Sequence, residues 1–171
     1  MVLLQNIDYN YYPSPDFIPE KLIFAPIPFY PPHPVPYTKA LISSVMSEPL
    51  KELFSDAWNK KIYIYGVSGY RSYYRQLEIY NSSIKNKGYD HTRKYIATPG
   101  TSEHQTGLAL DISCPSIGYE LEEIFAHTNE GIWLKENCMK YGFRITYDIP
   151  DENNCHSPYI AYEPWHIYYC E

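Results

Sequence analysis

Residues 102–111 read Ser102-Glu-His-Gln-Thr-Gly-Leu-Ala-Leu-Asp111, and both the fold and the chemistry turn on them. A polar loop carrying His104 runs into Gly107, which allows a tight turn or a close backbone approach. Leu108 to Ile112 then reads as a short apolar strand interrupted by one carboxylate, Asp111. An ionised carboxylate among Leu108, Ala109, Leu110 and Ile112 is costly unless it is paired or bound to a metal. His104, seven residues earlier, is one possible partner, and a histidine from a distant segment is another. Zinc accepts His nitrogen and Asp oxygen, and catalytic sites typically use three protein ligands and leave one position open.

A third ligand candidate lies in Glu163-Pro-Trp-His166, within a C-terminal strand expected over Tyr159 to Tyr169. Residues i and i+3 diverge on a flat strand. Pro164, however, restricts Glu163 to extended geometry and removes a ladder donor, so a bend is expected there. The bend lets Glu163 and His166 approach one cavity, with Glu163 as general base for a water. His33, His91, His127 and His156 have no such company and read as structural or exposed. Taken singly, each of these side chains is an ordinary structural group; their combination points to a mononuclear zinc hydrolase.

Working outward, KIYIYGVSGYRS reads as a strand ending at Gly66 to Gly69, with Ile62, Ile64 and Val67 on one face. A helix is expected from Ser72 to Lys87, carrying Tyr73, Leu77, Tyr80 and Ile84 at helical spacing. Leu41, Val45, Leu50, Leu53, Phe54 and Ala57 also recur helically, with a kink or a new start at Pro49. Residues 88–106 hold little periodicity and read as a long loop, a kind of segment that often carries function. Residues 119–141 read as helical, closed by Gly142, and Phe143 to Tyr147 as a strand. Helices and strands mix without βαβ alternation, which predicts an α+β fold.

Nine of the 15 prolines fall in residues 1–36. That segment reads as an extended Pro-rich arm packed on the domain through Phe17, Ile18, Leu22, Ile23, Phe24 and Phe29, with residues 37–171 forming the catalytic domain. The 171 residues suit one domain overall. A net charge of −6 argues against a nucleic-acid partner, and the sparse Lys85, Lys87, Arg93 and Lys94 read as a solvated loop. No apolar run is long enough to span a membrane. The opening MVLLQNIDYN shows no signal peptide. Twenty tyrosines read mostly as core filler with a wet tip. Four cysteines, Cys114, Cys138, Cys155 and Cys170, lack CxxC spacing; they leave open three disulfide pairings or four free thiols.

SEHQTGLALD and EPWH resemble the SxHxxGxAxD and ExWH motifs of zinc D-alanyl-D-alanine carboxypeptidases of the VanY and VanXY type. PDFIPEKL, SGYRSYYRQ and TNEGIWLKENCMKYGFRITY extend the resemblance over roughly residues 4–169. The resemblance implies a D,D-peptidase/hedgehog-like α+β fold, with a central antiparallel sheet flanked by helices and a single zinc site on the sheet. It implies His104, Asp111 and His166 as zinc ligands, Glu163 as catalytic base and Arg71 as the group that steadies the oxyanion. Gln76 and Ser102 fall where relatives contact the peptide and its terminal carboxylate. Thr101 stands where the family often has His, and DENNCHSP replaces a more usual lysine-containing, Thr-Gly-rich approach to EPWH.

The implied activity is removal of the terminal D-Ala from peptidoglycan stem peptides, with one zinc per monomeric chain. The same site serves an L,D-carboxypeptidase or a D-Ala-D-Ala dipeptidase. A wall-binding module with structural zinc is the reading from another class, and the intact Glu163 argues against it. The substrate implies the cell envelope, if a signal or anchor has been removed; a cytoplasmic location is the alternative.

Overall fold

The structure, a computed structural model, describes residues 14–30, 38–148 and 160–170. Among these, four strands form an antiparallel sheet in the order β3 (Tyr65–Ser68), β4 (Ala109–Ser113), β6 (His166–Tyr169), β5 (Phe143–Ile145). A second, two-stranded sheet pairs β1 (Leu22–Phe24) with β2 (Leu41–Ser43). Helix α1 (Ser47–Asn59) buries Leu50, Leu53, Phe54 and Ala57 in one core with Ile64, Leu110, Ile112, Phe143 and Ile167 of the sheet region. The α+β fold with its central antiparallel sheet is therefore borne out.

The inside-outside alternation of the strands decides where the polar residues go. Leu110 and Ile112 of β4 point into the core, so Asp111 faces the opposite side of the sheet. Ile167 of β6 joins the core, which turns His166 and Tyr168 to the same far side. In the ladder Asp111 sits directly opposite His166, and Arg144 of β5 opposite Tyr168. Directly opposed residues of an antiparallel pair share a face with Cβ atoms about 5 Å apart.

Some expectations change in detail. Leu41 belongs to β2 and not to the following helix, and Val45 is 62% exposed; α1 starts at Ser47, with Pro49 in its first turn, where the lost N–H has no intrahelical partner. Val67 does not join Ile64 in the core: residues three apart alternate to opposite faces of a strand, and Val67 is the extra residue of the bulge between Gly66 and Ser68. The helix read from Ser72 is α2 (Tyr73–Lys87), with Ser72 Oγ accepting from Arg75 N–H as its cap. The stretch read as a long loop contains α3 (Tyr89–Tyr95), set off by Gly88 at φ 85° and held by Thr92 Oγ1 against Ser83 Oγ. Its helical residues lack an apolar stripe, so periodicity could not reveal it. Residues 119–141 resolve into a 3-10 turn, α4 (Asn129–Asn137) and a second 3-10 turn ending at Gly142 at φ 78°.

Within the proline-rich segment, Ile18 and Phe24 are exposed and anchor nothing, while Ile23, Ala25, Ile27 and Phe29 pack on the core. Phe29 bridges to Gly66, where an added Cβ would lie 2.5 Å from the Phe29 ring. Cys114, Cys138 and Cys170 are free thiols. Cys155, His33, His156 and the turn DENNCHSP lie outside the described residues. Among the described residues no helix is long and apolar enough to cross a membrane.

Candidate metal centre

His104, Asp111 and His166 come together on the far face of the sheet, all buried, with one ligand atom from each within 4.8 Å of the others. Two arrive by strand register. The third arrives on the 3-10 turn Glu103–Thr106, which Gly107 closes in the left-handed region at φ 71°. Gly107 is also a close approach: an added Cβ would meet the backbone nitrogen of Ser43 at 3.1 Å.

Each histidine is oriented by its second nitrogen. Nδ1 of His104 lies 2.7 Å from the Gly69 carbonyl, which can only accept, so Nδ1 carries the proton and Nε2 is a lone-pair donor 3.3 Å from Asp111 Oδ2. His166 is turned the other way: Nδ1 faces Asp111 Oδ1 at 3.0 Å and Nε2 donates to Glu103 Oε2 at 2.9 Å. Two imidazoles, each held at its other nitrogen by an outer hydrogen bond, and one carboxylate with the Arg71 guanidinium 3.8 Å away are a donor set that fits zinc. Tetrahedral zinc ligands sit roughly 3.3 Å apart, close to the His104–Asp111 separation.

Electrostatics follow from burial and pairing. Burial raises the Asp111 carboxyl, but the charge and hydrogen bond of His104 and the hydrogen bond of His166 outweigh it and hold Asp111 far below the usual carboxylate range. Burial lowers His166, yet its bonds to Asp111 and Glu103 prevail and push it up to about 10. His104 is lowered, mainly by burial. Glu163 is pushed up to about 7, chiefly by burial.

The expected bend at EPWH is present. His166 N–H donates to the Glu163 carbonyl at 3.1 Å across Pro164 and Trp165, a β-turn with Pro at its second position. Glu163 N–H is held in turn by the Tyr147 carbonyl at 2.8 Å, so the side chain of Glu163 belongs to the same electrostatic neighbourhood as His166, Asp111 and Arg71.

Arg71 sits between β3 and α2, its backbone N–H donating to the His104 carbonyl at 3.1 Å and its Nη2 3.8 Å from Asp111 Oδ2. Gln76 is not a surface residue of α2: it is 1% exposed. Its Oε1 accepts from Arg71 Nη1 at 2.8 Å and its Nε2 donates to the Ala97 carbonyl at 2.7 Å, so its head group holds Arg71 in place. Ser102 is buried at the start of the 3-10 turn, and its side chain does not cap it.

Three further residues belong to this surface and escaped the sequence reading. Glu103 stands at the variable position of SxH. Arg144 places Nη2 3.6 Å from Glu103 Oε1, and Tyr147 lays its buried ring 4.9 Å from that of His166. An acidic residue beside a candidate metal-binding histidine is the one available signal; Arg144 becomes visible only through strand register, and Tyr147 only through the turn that follows β5.

The family model for VanY, described as D-alanyl-D-alanine carboxypeptidase, matches residues 39–171. The chain belongs to the VanY family. YodJ of Bacillus subtilis (strain 168) is 43% identical over 131 residues, covering 77% of this chain and 47% of YodJ. The LdcB LD-carboxypeptidase structure, described as revealing the molecular basis of peptidoglycan recognition, superposes with a TM-score of 0.81 at 37% identity, over 91% of this chain and 70% of LdcB. A VanY D,D-pentapeptidase from a VanB-type resistance cassette, in complex with Zn(II), superposes at 0.63 with 30% identity, over 84% of this chain and 83% of that one. The chain spans about half the length of the curated VanY relatives it matches. The resemblance read from the two motifs thus holds, and so does the VanY-type fold.

Proposed function

We propose that this chain is a zinc carboxypeptidase that removes the terminal D-alanine from peptidoglycan stem peptides ending in D-Ala-D-Ala. The observation that carries the reading is the buried His104–Asp111–His166 cluster with Glu163 and Arg71 beside it. His104 Nε2, an Asp111 oxygen and His166 Nδ1 would hold one zinc, whose Lewis acidity makes a water more acidic and polarises a carbonyl.

The remaining steps belong to the chain. Glu163, ionised, accepts a proton from the attacking water as its oxygen bonds to the carbonyl carbon of the penultimate residue. Arg71, fixed by Gln76, presents its guanidinium to the negative charge growing on the carbonyl oxygen and stabilises the transition state more than the ground state. Glu163 then returns the proton to the nitrogen of the departing D-alanine as the C–N bond breaks. Gln76 acts through Arg71, and the Ser102 hydroxyl with its polar neighbours receives the terminal carboxylate. The site is built within one chain, so a monomer suffices, and a substrate of this kind places the activity at the cell envelope.

A second reading has its own support. The likeness to LdcB, an LD-carboxypeptidase, extends over 91% of this chain and favours removal of D-alanine from a tetrapeptide stem ending L-Lys-D-Ala. The test is D-alanine release from a pentapeptide ending D-Ala-D-Ala against that tetrapeptide, with zinc, with chelator and with Glu163→Ala. Zinc-dependent release lost in the variant is expected, and the better peptide names the specificity. Zinc binding with neither peptide cut overturns the carboxypeptidase reading and leaves a wall-binding role.

A further inference from the structure

The mechanism above leaves one half-buried carboxylate without a part. Glu103 lies beside His104 in the chain, yet its side chain turns to the other histidine: Oε2 accepts from His166 Nε2 at 2.9 Å. Its second oxygen, Oε1, faces Arg144 Nη2 at 3.6 Å, and the Arg144 guanidinium lies over the Tyr168 ring, 5.2 Å from its centre. The sheet register explains the alignment. Arg144, Tyr168, His166 and Asp111 share one face, running from the edge strand β5 through β6 to β4. A charge chain therefore runs from Arg144 through Glu103 to the outer nitrogen of His166, ending at the nitrogen that faces Asp111.

The Glu103 side chain is 19% exposed and that of His166 only 2%, so the bond is formed largely out of water, where its geometry is worth most. An imidazole ring can rotate about χ2 and offer either nitrogen. His104 is prevented from doing so by the Gly69 carbonyl, a fixed backbone acceptor. No equivalent backbone carbonyl faces His166 Nε2 among the described residues; a side chain fills the role, and that side chain is itself held by Arg144.

We propose that Glu103, steadied by Arg144, is a positioning residue of the metal centre that locks the His166 ring with Nδ1 toward the metal. The inference rests on the reading that His104, Asp111 and His166 hold zinc. It assigns Glu103 no contact with substrate.

The test is zinc affinity of the purified chain, by competition with a chromophoric chelator, together with the visible spectrum of the cobalt(II)-loaded protein. Losing such an outer partner typically weakens metal binding about 10–100-fold. Glu103→Ala is expected to fall in that range and to alter the cobalt spectrum. Glu103→Gln keeps an oxygen that accepts from Nε2 and is expected to recover most of the affinity; Arg144→Met is expected to lose less than Glu103→Ala. If Glu103→Ala does not fold, Glu103→Asp, which draws the carboxylate back by one methylene, takes its place with the same expected direction. Parental affinity and an unchanged cobalt spectrum in the folded Ala or Asp variant overturn the proposal. A parent chain that binds no zinc, or whose binding survives His166→Ala, overturns instead the metal-site reading beneath it.

Discussion

Two carboxylates in this molecule have cationic partners at nearly the same distance. Asp56, on α1, lies 2.8 Å from Lys60 Nζ, and Asp111, on β4, lies 3.0 Å from His166 Nδ1. Their surroundings differ. Asp56 lines a shallow surface depression with Glu48, Lys51 and Glu52, and its pair stands in water one helical turn apart. Asp111 is 4% exposed and fixed between two histidines brought from 55 residues away and from a neighbouring turn. Proximity of opposite charges is therefore common to both, and only the second arrangement is a site. At the first, water shares the carboxylate with Lys60 and the Tyr141 hydroxyl, 2.7 Å from Asp56 Oδ2; at the second, the protein must supply each partner.

Four substitutions probe that contrast, in decreasing order of effect. Asp111→Ala should abolish zinc binding and D-alanine release together. It also leaves His166 buried beside an unmatched bond, a loss of about 3–5 kcal/mol in metal-free stability that urea unfolding would register. Retention of stoichiometric zinc by this variant would break the comparison.

Glu163→Gln should cut turnover about a thousandfold while zinc stays bound. In the parent, kcat/KM should fall as pH drops through the Glu163 ionisation, because only the carboxylate accepts a proton. Burial places that ionisation at about 7 without metal, and a dication beside it moves it lower. The same raised value has a stability sign. The contribution of Glu163 is favourable below its unfolded value near 4.5 and is lost as pH rises through 7. Metal-free Glu163→Gln should therefore melt higher than the parent at pH 8, with the gain vanishing toward pH 4.5.

Gln76→Ala should lower kcat about tenfold with little change in KM, because it frees Arg71 and removes no substrate contact. A rise in KM at constant kcat would instead give Gln76 a direct role on the peptide. Smallest of all, Asp56→Asn should lower the melting temperature only slightly, since the exposed i,i+4 pair with Lys60 contributes little and the amide oxygen can still accept from the Tyr141 hydroxyl.

The legibility of the site followed the same division. Asp111 was readable because a charge inside an apolar strand violates a local rule, and the Glu163–His166 bend because proline forbids a continuous ladder there. Helix α2 was readable to within a residue from the spacing of Tyr73, Leu77, Tyr80 and Ile84 alone. What stayed hidden depended on contacts across the chain. α3 lacks a stripe, so only its packing reveals it. Gln76 is polar on an amphipathic helix, and nothing local says that residue 97 will cover it. Glu103 and Arg144 are 41 positions apart, and only the order β4-β6-β5 brings them to one face. The split of Leu41 from α1 is similar: its helical spacing is genuine, but pairing with Phe24 takes precedence.

The Phe29–Gly66 contact has a consequence for solubility. β3 ends the four-stranded sheet, and an uncovered end strand presents a row of free donors and acceptors to any other chain. Here Gly66 N–H is taken by the Pro28 carbonyl and its own carbonyl by Tyr30 N–H, while the Phe29 ring occupies the space that a side chain at 66 would need. The proline-rich segment thus acts as a selvedge, finishing the border of the sheet so that it does not fray into intermolecular pairing. A fragment trimmed to begin with the family-matched residues would keep every metal-site side chain and lose that border, so its weakness would show as clumping before it showed as lost chemistry.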